Sequence, residues 1–227
     1  MSTMETMDQN EPDHLNAGAL RRKHTAGGTA YHEVGKGEPL VFIHGVGMRL
    51  ESWSPQIEAF SRSHRVIAVD MPGHGESVAL PAGSPLEAFV AWFGGFLHEM
   101  ELGKVNVAGH SMGALVAGGA AATFDERIKR IAYLNGVYRR DPEAKAAVLA
   151  RAAAIPLTGV DEEGPLLRWV GDDAQSAVAR ELTRNWLSLV DPRGYATAYA
   201  AFAGGDETYA DRWPDVRAPA LFLTGSD

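Results

Sequence analysis

Gly109-His110-Ser111-Met112-Gly113 follows the apolar run Val105-Asn106-Val107-Ala108 and precedes a small-residue helical pattern, Met112 to Phe124. A serine with glycine two positions away on either side, set between a strand and a helix, has the G-x-S-x-G form of a nucleophile elbow. Gly109 and Gly113 remove side chains that would crowd the turn, so that Ser111 projects from it. No imidazole follows the serine. All eight histidines, His14, His24, His32, His44, His64, His74, His98 and His110, precede it. His110 is its neighbour, but adjacent residues on a tight turn point in different directions, so His110 reads as a packed neighbour and not as a base.

Working outward, Leu40 to Ile43, Val66 to Val69, Ile131 to Leu134 and Ala220 to Leu223 are further apolar runs, with a shorter strand at Thr29 to Val34. Continuous runs of this kind suit strands buried on both faces, hence a mostly parallel sheet. Helical patterns lie between them at Trp53 to Ser61, Pro85 to Met100 and Met112 to Phe124. Strand and helix in alternation is the doubly wound α/β order. From Tyr138 to about Gly205 the alternation stops. Asp141-Pro142 and Asp191-Pro192 read as N-cap plus first-turn signals, with a further helix over Ala174 to Val190. The expected organisation is a disordered segment over 1–18, a core over 19–137 and 206–227, and a helical cap over 138–205 inserted between two strands.

Three motifs fall at the ends of successive strands, the edge where open parallel sheets bind ligands. In His44-Gly45-Val46-Gly47 a glycine-flanked turn aims the Val46 N–H at a developing oxyanion, and Met112, opening the helix after Ser111, supplies a second donor. Asp70-Met71-Pro72-Gly73-His74-Gly75-Glu76-Ser77 is a compact turn in which Asp70 binds local N–H groups, and His44 and His74 are expected to make structural hydrogen bonds. In this order the three motifs resemble the α/β-hydrolase superfamily over about residues 20 to 227, specifically its smaller capped members: carboxylesterases, enol-lactonases, carbon–carbon bond hydrolases and cofactor-free haloperoxidases. Serine at 111, where other branches carry a carboxylate nucleophile, implies acyl-type chemistry.

The resemblance also implies an acid after the strand Ala220 to Leu223 and a histidine after one further strand. The sequence reads Thr224-Gly225-Ser226-Asp227 there, so Asp227, one position early, is the candidate acid. Asn135-Gly136 occupies the alternative acid position, and asparagine holds no counter-charge to imidazolium. The expectation is therefore a hydrolase truncated before its histidine, lacking its last strand and covering helices and nearly inactive in this form.

Composition bounds the rest. The 227 residues are 45% hydrophobic, enough for one substantial core, and a net charge of −8 from 29 acidic and 21 basic residues argues against nucleic acid or anionic lipid as partners. Zero cysteines leave no thiolate chemistry. No metal-ligand spacing or membrane-length apolar run occurs, and a cytoplasmic location is the default expectation. Trp169, Trp186, Tyr195, Tyr199 and Phe202 line a pocket or form the core of the cap, and Arg139-Arg140 reads as a solvated helix start. The reading is a cofactor-free serine hydrolase of a small ester, lactone or related acyl substrate: Ser111 attacks and Val46 and Met112 hold the oxyanion. The alternative is a non-catalytic relative that binds a small molecule. Oligomeric state is not legible.

Overall fold

A computed structural model describes residues 20–225. Asp227 and the segment 1–18 lie outside the described residues. Among the described residues, seven strands form one sheet in the order β1-β2-β4-β3-β5-β6-β7: β1 (Lys23–His24), β2 (Ala30–Val34), β3 (Glu38–Ile43), β4 (His64–Val69), β5 (Val105–His110), β6 (Ile128–Leu134) and β7 (Ala220–Leu223). From β4 to β7 every pairing is parallel, while β1 and β2 add an antiparallel margin.

The continuous apolar runs have their cause in a sheet covered on two sides. Val41 and Ile43 of β3, with Ile67 and Val69 of β4, pack into one cluster; the alternating Leu40, Phe42, Val66 and Ala68 pack into another. The first cluster lies under α2 (Leu86–Glu99) and α3 (Met112–Thr123), whose Phe89, Phe93, Val116 and Ala120 it contains. The second lies under a short 3-10 turn and α1 (Ser54–Phe60), with Trp53 stacked on Phe42 at 4.7 Å between ring centroids.

Between β6 and β7 the chain forms α4 (Pro142–Thr158), α5 (Glu163–Trp169), α6 (Ala177–Leu189) and α7 (Pro192–Gly204). Both Asp-Pro signals open helices: the Asp141 carboxylate accepts from Ala144 N at 2.8 Å and Asp191 from Gly194 N at 2.6 Å. The reading of Arg139-Arg140 as solvated is corrected at Arg140. Its guanidinium is buried, 4.5 Å from the Phe202 ring centroid, and its Nη1 lies 3.3 Å from buried Asp206, so that the two ends of the helical segment are pinned together.

β7 pairs with β6 along one edge, and Leu221, Phe222 and Leu223 are exposed. Apolar grooves run along both faces there, one walled by Tyr133, Trp213 and Phe222, the other by Phe42, Phe60 and Leu221. No helix among the described residues is long and apolar enough to cross a membrane.

Candidate active site

β5 delivers the chain to Ser111, which has φ 55° and ψ −115°. A non-glycine residue there costs on the order of 1–3 kcal/mol and persists only where its surroundings dictate it. They do so here through the two glycines. A Cβ on Gly109 would collide with the Gly113 carbonyl, and one on Gly113 with the carbonyls of Ile43 and His44, so β3, β5 and α3 converge closer than side chains allow. Ser111 N donates to Leu134 O on β6 at 2.9 Å, and Ser111 O accepts from Ala114 N at 3.0 Å. The backbone is thereby locked while the half-buried hydroxyl makes no capping bond. Met112 opens α3, and its N–H, at the positive end of the helix dipole, has no acceptor among the described residues.

The turn after β3 is held by two buried imidazoles. His44 Nε2 accepts from Met71 N at 2.9 Å and its Nδ1 faces Gly45 O at 2.7 Å; His74 Nε2 accepts from Gly47 N at 2.9 Å and its Nδ1 faces Pro72 O at 3.2 Å. A ring nitrogen that accepts from an N–H is unprotonated, so each ring is neutral with its proton on Nδ1. Burial pushes both below the ordinary histidine value, His74 down to about 3 with His44 adding to the effect. Both nitrogens of each ring are engaged, so these histidines shape the turn and are not placed to take a proton from Ser111. Val46 lies between the fixed Gly45 and Gly47, and among the described residues its N–H meets no acceptor.

Asp70 binds the N–H groups of Leu50 at 2.8 Å and Glu76 at 3.1 Å, the turn role expected of it. It also belongs to a cluster that sequence reasoning missed. Arg22 reaches Asp70 at 2.7 Å through Nε and Glu51 through both terminal nitrogens at 2.6 and 2.7 Å, with all three side chains buried. Burial alone would raise both carboxylates, yet the Arg22 hydrogen bonds hold them below their ordinary values. A partner 48 positions away in a polar stretch leaves no local signal.

The helices of 138–205 lie directly on these turns. A Cβ on Gly47 would stand 3.1 Å from the Tyr195 ring and 3.8 Å from Trp169, and Tyr195 also faces the His74 ring at 6.4 Å. Gly194, in the first turn of α7, meets Gly73 backbone to backbone. Of the five aromatics, Tyr195 and Tyr199 are buried and line a cavity, Phe202 underlies Arg140, and Trp169 is exposed. No described hydrogen bond joins Ser111 to an imidazole; His110 is exposed. Among the described residues no three His, Asp or Glu side chains gather as metal ligands.

A family model described as the alpha/beta hydrolase fold matches residues 38–158. (E)-2-((N-methylformamido)methylene)succinate hydrolase of Acinetobacter baylyi is 51% identical over 197 residues, 87% of this chain and 75% of that protein. 2-Hydroxy-6-oxo-2,4-heptadienoate hydrolase of Pseudomonas putida is 35% identical over 119 residues, 49% of this chain and 43% of that protein. Among solved structures, the enol-lactonase of Burkholderia xenovorans superposes with a TM-score of 0.80 at 26% identity, covering 91% of this chain and 81% of that one.

Proposed function

The chain is a hydrolase of the α/β-hydrolase family, and from that premise we propose that Ser111 is its nucleophile, attacking the carbonyl of a small acyl substrate beneath a cap formed by residues 138–205. The observation that carries this is the strained Ser111 backbone, locked by Gly109 and Gly113 at the start of α3 and packed against Gly45 of the turn that carries Val46. A tetrahedral oxyanion formed on Ser111 takes hydrogen bonds from Val46 and Met112, each of them stronger for the charged intermediate than for the ground-state carbonyl. The route uses no cofactor, and we place it in the cytoplasm.

The relative from Acinetobacter baylyi supports a particular class within that reading, an N-formyl enamide of a small dicarboxylic acid. Ser111 Oγ attacks the formyl carbon, the C–N bond breaks with protonation of the departing enamine, and water then releases formate from the serine. Loss of the general base costs on the order of 10⁶-fold in such enzymes. With no described imidazole placed against Ser111, turnover by the 227-residue chain is expected to be slow. Consumption of (E)-2-((N-methylformamido)methylene)succinate, followed by formate release, tests the reading. Release abolished by Ser111→Ala supports it, and release undiminished in that variant contradicts it.

A further inference from the structure

A cavity of about 340 Å³ lies among α4, α5 and α7, outside the machinery described so far. Arg151, Ile155, Asp161, Arg168, Tyr195 and Tyr199 are on its wall. The Arg151 Nε donates to the Tyr199 hydroxyl at 3.2 Å, which aims the guanidinium, while its two terminal nitrogens find no acceptor among the described residues. Arg168 forms no hydrogen bond or ion pair among the described residues. The acid on this wall, Asp161, accepts from Gly164 N at 3.0 Å, and two arginines against one aspartate leave the wall with a formal charge of +1. Neither arginine is within ion-pair distance of a carboxylate among the described residues, although Asp161 Oδ2 and Arg168 Nη1 both lie against Gly164.

The cavity adjoins the candidate active site through shared residues. Tyr195 lines it and also packs on Gly47, while Trp169, next to Arg168, overhangs the same glycine. Two residues before Gly47, a Cβ on Gly45 would stand 3.2 Å from Ser111 Cβ. Tyr195 thus stands between the turn that touches Ser111 and the cavity wall that carries the two guanidinium groups. Guanidinium matches a carboxylate in charge and in planar, two-point geometry, which an ammonium does not.

We infer that Arg151 and Arg168 form the carboxylate-recognition wall of the substrate site, holding the acid groups of a small dicarboxylate while its acyl carbon faces Ser111. The inference rests on the reading of Ser111 as the point of attack. It adds the residues that select the substrate, and it excludes neutral esters of similar size as preferred substrates.

Isothermal titration of the 227-residue chain with methylenesuccinate and with its dimethyl ester tests the inference without requiring turnover. The diacid is expected to bind, the diester to bind at least about tenfold more weakly, and Arg151→Gln and Arg168→Gln each to weaken the diacid by about tenfold or more. Arg151→Lys, which keeps the charge and loses the fork, should fall between. Both arginines are exposed, so the core is untouched, and the diacid-to-diester comparison needs no substitution at all. No saturable diacid binding, equal affinity for diacid and diester, or wild-type affinity in both glutamine variants overturns the proposal. Labelling by an uncharged fluorophosphonate separates the two readings. Labelling at Ser111 with unchanged affinities removes the anion wall alone, whereas diacid selectivity with no labelling at Ser111 removes the nucleophile.

Discussion

Residue by residue, the site is made of groups whose own preferences are overridden. Ser111 sits in a backbone region serine avoids, and His44 and His74 stay neutral because each spends its unprotonated nitrogen on a backbone N–H. The unfolded chain takes up histidine protons near pH 6.5, while native His74 refuses one until about pH 3. Native stability is therefore fully present above the first value and falls as pH drops toward the second. The thermal midpoint should decline through that window, and His74→Gln should flatten the decline; an equally steep slope in the variant would contradict the assignment. Arg22→Ala strands two buried carboxylates, Glu51 and Asp70, and should cost about 3–5 kcal/mol in denaturant unfolding. A loss under about 1 kcal/mol would mean that the cluster is solvated in solution.

Among the elements, the contact between α7 and the Asp70–Ser77 turn ties the helices between β6 and β7 to the turn after β4. Gly194 and Gly73 touch so closely that a Cβ on Gly194 would lie 2.5 Å from Gly73 Cα, with backbone on both sides and no flexible tip to yield. Gly194→Ala should lift α7, cost about 1–3 kcal/mol and speed proteolysis within α4 to α7 ahead of the sheet. Unchanged cleavage would show that the contact is loose. The apolar runs made the sheet and its order of helices legible in the sequence, and the Asp-Pro pairs made the starts of α4 and α7 legible. β3 and β4 begin earlier than their apolar residues because Glu38-Pro39 pairs with His64-Arg65 at the polar end of the ladder, where hydropathy carries no signal. β1 is two polar residues paired to β2, and α5 is seven residues with Gly164 and Pro165 in its first turn; both depend on tertiary contacts. The motifs marked Ser111, Val46 and Met112, whereas the Arg22 cluster, the neutral histidine tautomers and the Arg151–Arg168 wall arise only when distant segments meet.

At the scale of the whole molecule, the sheet is well covered through β5, while β7 carries Leu221, Phe222 and Leu223 at its exposed edge. Side chains on both faces of β7 look into apolar grooves, Phe222 standing 5.1 Å from Trp213 and 5.5 Å from Tyr133 between ring centroids. An exposed apolar edge strand with unpaired backbone groups is a site for association between chains. The 227-residue chain should bind a hydrophobic dye and elute at a size that grows with concentration. Leu221→Lys should reduce that growth without changing the circular dichroism spectrum; a monomer at all concentrations with no dye binding would contradict the expectation.

The most direct test of the account is peptide mapping by mass spectrometry after prolonged exposure of the purified chain to excess fluorophosphonate. One adduct is predicted, formed slowly, on the peptide that carries Ser111 and absent from Ser111→Ala. An adduct elsewhere that persists in Ser111→Ala, or a Ser111 peptide that stays unmodified, would contradict the claim that this serine is the nucleophile.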